Sequence, residues 1–256
     1  MYKIIDFKKY TSINIGDNHK VKIINDINKY EEYHIIGRGN NILLSSNPPP
    51  LAILGDKFNY IFQKDGKLIV GAATTSGKLL IYCKKNNIAN FEFLAKLPGN
   101  IGGLTKMNAG LKQWEIFNQI DSIKTQDGVI KKENIDYSYR DTKIDGIIFE
   151  VTFNIELGFN QENQKLFVQM RDNQPNLPSA GSCFKNPKEY SAGYLIENVN
   201  LKGYTIGEMA FSSQHANFLV NMGNGTFDDA IKLIKLAKDK VKEQFDIQLD
   251  LELIIL

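Results

Sequence analysis

An α+β fold with a strand-rich front half is what this sequence predicts, on three observations. Residues 1–155 break into short apolar runs separated by Gly, Asn, Asp and Pro clusters. One long amphipathic helix stands near the C-terminus, and a run of alternating apolar and polar residues follows it.

In chain order, strands are expected over 20–24, 33–36, 42–44, 51–54, 60–63 and 67–70. The stretch 76–86 reads as a helix, with Leu79, Leu80 and Tyr82 on or near one face. Strands return at 119–125 and 147–155, the latter alternating Ile148, Val151, Phe153 and Ile155 imperfectly. A segment rich in Asn, Gln and Pro, 160–178, marks the change of domain, so domains are expected over 1–157 and 158–256. Beyond it, 191–198 reads as a short helix. Over 226–245 Thr226 and Asp229 form a capping-box start, and Ala230, Leu233, Ala237 and Val241 recur at helical spacing. The chain closes on a strand over 247–256, with Ile247, Leu249, Leu251 and Leu253 on one face and Gln248, Asp250 and Glu252 on the other.

Composition narrows the function classes. Net charge is +2 from 31 Lys+Arg and 29 Asp+Glu, which makes no electrostatic case for nucleic acid or an anionic membrane. Two isolated cysteines, Cys83 and Cys183, are too few for a disulfide framework or a thiolate zinc site. His19, His34 and His215 are scattered without ligand spacing, so no metal site is expected. The first ten residues lack a signal-peptide core and no window is apolar enough for a membrane helix, so the chain reads as cytosolic.

Four segments depart from scaffold composition. Gly37-Arg38-Gly39-Asn40-Asn41 lies between short apolar runs; its glycines free backbone N–H groups to cradle a phosphate, though a plain tight turn explains it as well. Leu97-Pro98-Gly99-Asn100-Ile101-Gly102-Gly103, continuing to Met107-Asn108-Ala109-Gly110, has little side-chain bulk and suits close approach of a flat or anionic ligand. Its spacing is not that of a Rossmann strand-turn-helix. Tyr137 to Thr142 and Ser179 to Pro187 set polar groups beside aromatics, as a site holding a charged substrate against an apolar face would.

In this order the segments resemble the UDP-N-acetylenolpyruvoylglucosamine reductase family, in its shorter branch, over about residues 10–255. The family's G-G-G-S-N-x-L appears as Gly37 to Leu43, with Arg38 and Asn40 in place of Gly and Ser. Its E-F-L-x-x-I-P-G-x-x-G-G-x-x-x-M-N-A-G runs from Glu92 to Gly110, but the A-Y-G that usually follows is Leu111-Lys112-Gln113. Y-R-x-S appears as Tyr139-Arg140-Asp141-Thr142, and G-S-x-F-K-N-P as Gly181 to Pro187. A-G-x-L-I-E and H-A-N-F-x-V-N stand at 192–197 and 215–221, and a terminal acid at Glu252. Near the start, Asp17 stands where the family usually has a second Gly after Gly16.

The resemblance implies a two-part FAD-binding domain of the vanillyl-alcohol-oxidase type followed by a smaller α+β substrate-binding domain. It implies a monomeric cytoplasmic flavoenzyme of peptidoglycan precursor synthesis, using FAD and NADPH to reduce UDP-N-acetylglucosamine enolpyruvate to UDP-N-acetylmuramate. Arg140, Ser182 and Glu252 then match the catalytic residues. FAD is assigned to Gly37, Arg38, Gly39, Asn40, Asn41, Ile42, Leu97, Pro98, Gly99, Ile101, Gly102, Gly103, Asn108, Ala109, Gly110 and Arg140, and substrate to Tyr139, Lys185 and Asn186. Arg140, permanently charged and two-pronged, suits the enolate-like charge that hydride addition builds. Ser182 matches the proton donor; Cys183 is its rival, but adjacent residues on an extended segment face opposite sides. Glu252 helps stabilise the intermediate if protonated or acting through Arg140. His215 and Asn217 are either site residues or structural hydrogen bonders. Another FAD-dependent oxidoreductase of the same fold and a non-catalytic nucleotide-sugar binder stay open as alternatives.

Overall fold

The computed structural model describes residues 1–256. It comprises two compact units: Met1–Lys3, Val21–Arg38 and Pro50–Asp172 form the first, and Ile4–Lys20, Gly39–Pro49 and Asn173–Leu256 the second.

The first unit is built on an antiparallel sheet in the order Gly128–Lys131, Ile120–Thr125, Glu150–Asn154, Lys67–Gly71, Ile61–Lys64. Its register sets Val151 opposite Val70 and Phe153 opposite Leu68, so period-two alternation delivers these residues to one fully buried face. Onto this core pack Leu79 and Cys83 of the Ser76–Lys85 helix, and the ring of Phe91 meets Phe153 edge-on at 5.3 Å. The helix starts where Thr75 accepts the Lys78 amide, as an N-cap should. Beside this sheet, Val21–Ile24, Leu51–Leu54 and His34–Ile35 pair in parallel. They share a small core in which Phe58 packs on Phe149.

The stretch 160–178, expected to mark the change of domain, contains a helix, Gln161–Gln169. Asn160 is an N-cap that accepts from the amides of Glu162 and Asn163, and Phe167 buries its ring edge-on against Trp114 at 5.0 Å. A composition that reads as linker is a capped helix with one apolar stripe, because the anchor it buries against is supplied by distant sequence. The compact units part at Asp172/Asn173, inside that stretch. The second unit also recruits 4–20 and 39–49, so it does not simply follow the first along the chain.

In the second unit, Ser179–Ser182, Phe218–Asn221, Met209–Phe211 and Thr205–Ile206 form an antiparallel sheet. The Phe227–Phe245 helix buries Ala230, Leu233, Ile234, Ala237 and Val241 in the core of this unit. Thr226 caps it, accepting the Asp229 amide and bonding the Asp229 carboxylate in return. The expected closing strand over 247–256 is corrected to Ile254–Ile255, which pairs in parallel with Ile42–Leu43. The alternation is nonetheless real: Leu249 and Leu253 are buried while Gln248 and Asp250 are exposed. Facing follows from the pattern, but a ladder needs a run of partners: Leu251 makes an isolated antiparallel bridge to Phe184, and only Ile254–Ile255 pair as a strand.

Candidate functional site

In the first unit the site is built around Arg140. Strands Tyr137–Ser138 and Asp141–Thr142 pair as a hairpin with Ser138 opposite Asp141, leaving Tyr139 and Arg140 as a two-residue loop. Arg140 takes φ +55°, a left-handed conformation that costs a non-glycine residue about 1–2 kcal/mol. The guanidinium repays the strain with contacts. Nη1 donates to the Asn108 carbonyl at 3.1 Å and Nη2 to the Gly110 carbonyl at 2.8 Å. The Tyr139 ring lies 4.9 Å from its Cζ, and Glu115 Oε1 stands 3.7 Å away. Only 11% of the Arg140 side chain is exposed. The Met107-Asn108-Ala109-Gly110 segment thus serves as a carbonyl clamp. Asn108, itself left-handed at φ +43° and buried, donates to Glu115 Oε2 at 2.8 Å and to the Ser138 carbonyl at 3.0 Å. Glu115 is one acid beside Arg140, and Asp141 pairs with Lys143 at 2.8 Å.

The glycine-rich loops are used in two ways. In the first unit they let backbone layers close: a Cβ on Gly37 would fall 2.6 Å from Asn100 Oδ1, and one on Gly102 3.0 Å from the Ala72 Cβ. The amides of Ile101, Gly102 and Gly103 are engaged by Thr74 O, Ala72 O and Asn100 Oδ1, so they do not cradle a phosphate. In the second unit Gly39 has φ +69°, and the amides of Gly39 and Asn40 donate to no acceptor in the chain. That pair of donors fits a phosphate oxygen, the group expected of a dinucleotide cofactor.

The second unit carries Ser182 and Glu252. Gly181 is left-handed at φ +78°, and a Cβ there would meet nothing nearer than Asn40 O at 4.0 Å; the backbone turn, rather than crowding, calls for glycine. Ser182 pairs with Phe218 past a register shift and is half-buried. Cys183 points into the core instead, and burial pushes its thiol well above the usual range, so it stays a sealed, protonated thiol. Asn217 clips the next residue: its Oδ1 accepts the Phe184 amide at 3.0 Å and its Nδ2 donates to the Phe184 carbonyl at 2.8 Å. The C-terminal segment lies along the same stretch, with the Glu252 and Leu253 amides on the Cys183 carbonyl and the Asn41 side chain on the Glu252 carbonyl at 2.9 Å. Ser182, Glu252 and Asn41 are thereby tied together through backbone, with Glu252 in a half-buried bend.

His215 accepts the Asn217 amide through Nδ1, and burial holds its imidazole below the usual range; both are structural hydrogen bonders here. Asn186 Oδ1 accepts the Ala192 amide at the start of the Ala192–Asn198 helix, and the Lys185 amide bonds the Asp250 carbonyl. Sequence reasoning missed Glu115, which carries no local signal, since its place beside Arg140 depends on Asn108 and Arg140 folding onto it.

Comparison with known proteins bears on the family and the fold. Residues 173–256 match the model of the UDP-N-acetylenolpyruvoylglucosamine reductase C-terminal domain. A curated UDP-N-acetylenolpyruvoylglucosamine reductase of Helicobacter hepaticus is 43% identical, over 99% of this chain and 98% of its own length. One of Campylobacter jejuni is 42% identical, over 99% and 100%. The crystal structure of UDP-N-acetylenolpyruvylglucosamine reductase from Thermus caldophilus superposes with a TM-score of 0.87 at 27% identity, covering 100% of this chain and 98% of that one. Likeness over full length in both sequence and fold makes this protein an enzyme, an oxidoreductase. The chain belongs to the UDP-N-acetylenolpyruvoylglucosamine reductase family.

Proposed function

We propose that this enzyme reduces UDP-N-acetylglucosamine enolpyruvate to UDP-N-acetylmuramate, a step of peptidoglycan precursor synthesis in the cytoplasm, with FAD as resident cofactor and NADPH as reductant. One observation carries the reading: a guanidinium held rigidly by two backbone carbonyls in a strained loop, in a chain of this family. The Gly39 and Asn40 amides of the second unit would hold a phosphate of FAD; Asn41 and Ile42 in that unit, and Gly37, Arg38, Leu97, Pro98, Gly99, Ile101, Gly102, Gly103, Asn108, Ala109 and Gly110 in the first, are assigned to the same cofactor by likeness to a family with a vanillyl-alcohol-oxidase-type domain. When bound, FAD supplies hydride from N5 to C3 of the enolpyruvyl group, having taken it from NADPH.

Hydride arriving at C3 leaves an electron pair at C2, spread into the adjacent carboxylate. Arg140 neutralises that charge; its fork is fixed before reaction, so no reorganisation is needed as charge develops. Ser182 gives its hydroxyl proton to C2, completing the lactyl ether, and regains a proton from solvent. Glu252, protonated or through Arg140, supports the same charge. Tyr139, Lys185 and Asn186 are assigned to the nucleotide-sugar substrate, Asn186 with the helix-start bond it already makes.

Anaerobic addition of NADPH should bleach the flavin absorbance of the purified protein, and the enolpyruvyl substrate should then restore it. Bleaching without recovery would show a flavoprotein acting on something else. A colourless protein that FAD does not reconstitute would remove the cofactor assignment.

A further inference from the structure

The chain's one tryptophan, Trp114, stands in the wall of a cavity in the first unit. Gly110–Leu111 and Trp114–Glu115 pair as a hairpin, Gly110 opposite Glu115 and Leu111 opposite Trp114, so Lys112 and Gln113 form its two-residue loop. Lys112 takes φ +54°, the left-handed conformation that so short a loop requires. The Trp114 indole meets Phe167 edge-on at 5.0 Å and is half-buried, yet its N–H has no acceptor in the chain and stays open to solvent. An indole sunk to this depth ordinarily finds a partner for that donor. Beside it lies a cavity of about 240 Å³, lined also by the buried Phe93 and by Gln113, Asn118 and Gln119. The Gln113 and Gln119 carboxamides likewise have no partner in the chain, while Asn118 Nδ2 donates to the Gln113 carbonyl at 2.8 Å. Glu115 is the one charged residue of the wall, and its carboxylate is already engaged by Asn108 at 2.8 Å and by Arg140 at 3.7 Å.

Idle donors and acceptors set among aromatic rings select a ligand class. An ion would find no free counter-charge in this wall, and a wholly apolar ligand would strand the carboxamides without partners. A carboxamide both donates and accepts, as a ligand hydroxyl does, and an indole adds one more donor beside an apolar face. The volume lies below the roughly 300–1,000 Å³ of pockets for drug-sized ligands, which leaves room for a single ring. We propose that this cavity binds a neutral monosaccharide, its C–H face against Trp114 and its hydroxyls on Gln113, Gln119 and the indole N–H. No residue assigned to cofactor or substrate lines it, and Gln113 is one of three positions where the hairpin leaves the family's A-Y-G. The site is therefore separate from the proposed function.

With one tryptophan in the chain, the single indole N–H cross-peak of a ¹H–¹⁵N spectrum reports on this cavity. In the full-length purified protein, titration with glucose and with N-acetylglucosamine should move that peak along a saturable curve, whereas glycerol at equal weight concentration should give only a linear drift. Gln119→Met keeps the length of the side chain and removes its hydrogen-bonding groups, so the sugar should bind about tenfold more weakly, the loss of one hydrogen bond. Gln113→Met, in the exposed hairpin loop, should weaken binding in the same direction and serves if the Gln119 variant does not fold. A peak that neither sugar moves, or that drifts with sugar as it does with glycerol, overturns the site. A saturable curve that both glutamine variants leave unchanged does so too, and a shift with uracil but with neither sugar overturns the ligand class.

Discussion

Arg140 sits where backbone comfort is given up for placement. Its left-handed φ and its bonds to the Asn108 and Gly110 carbonyls hold the guanidinium in one position, and a lysine could not span both carbonyls with a point charge. Arg140→Lys should therefore cut turnover strongly even if the protein folds normally; wild-type turnover would refute the role. Glu115 sits behind this arginine, joined to Asn108 Nδ2, and positions it. Glu115→Gln keeps the amide-compatible shape and removes the charge, so kcat should fall more than KM rises, and Glu115→Asp should recover little because its reach is shorter. Equal activity in the Gln variant would make Glu115 merely structural. Ser182→Ala isolates the proton: flavin reduction by NADPH should be nearly unchanged while reoxidation by substrate slows ~10²–10⁴-fold. Equal slowing of both half-reactions would assign Ser182 elsewhere.

Elements hold these residues still. Three strands of the first unit are pinned at Asp121, whose carboxylate accepts from Lys67 at 2.7 Å and from Lys131 at 3.1 Å. The Lys67 bond chiefly lowers Asp121 from the usual 3.8 to about 2. Because the folded value is depressed, the contribution is full above about pH 4 and is lost as pH falls towards 2. Asp121→Asn should be less stable than wild type in chemical unfolding at pH 7, and the two should converge near pH 2; a constant gap across that range would discount the ion cluster. In the second unit the Asn217 clip and the C-terminal segment hold the Ser182 strand between them. Helices 76–86, 191–198 and 226–245 were legible to within a residue or so, because caps and apolar spacing are local signals. The Gln161–Gln169 helix was not, since its stripe is little more than Phe167 and its stability comes from Trp114.

On the scale of the whole molecule, the two units are woven from one chain. Ile13, Ile15 and Leu43, all early in sequence, belong to the core of the second unit with Leu195, Phe211 and Leu253. A fragment spanning 158–256 would lack those side chains and the Ile42–Leu43 partner of its last strand. It should show no cooperative unfolding and no fixed near-ultraviolet circular dichroism; a sharp transition in that fragment would contradict the shared core. No helix is long and apolar enough to cross a membrane.

By itself the sequence determined the α+β class, the sites of the capped helices, the facing of the closing segment and the family, because these rest on spacing and ordered motifs. The carbonyl clamp on Arg140, the sealing of Cys183 away from Ser182, the engaged amides at 101–103 and the interleaving of the units were decided only by tertiary structure. Each depends on which distant backbone arrives beside a residue, and local periodicity carries no record of that.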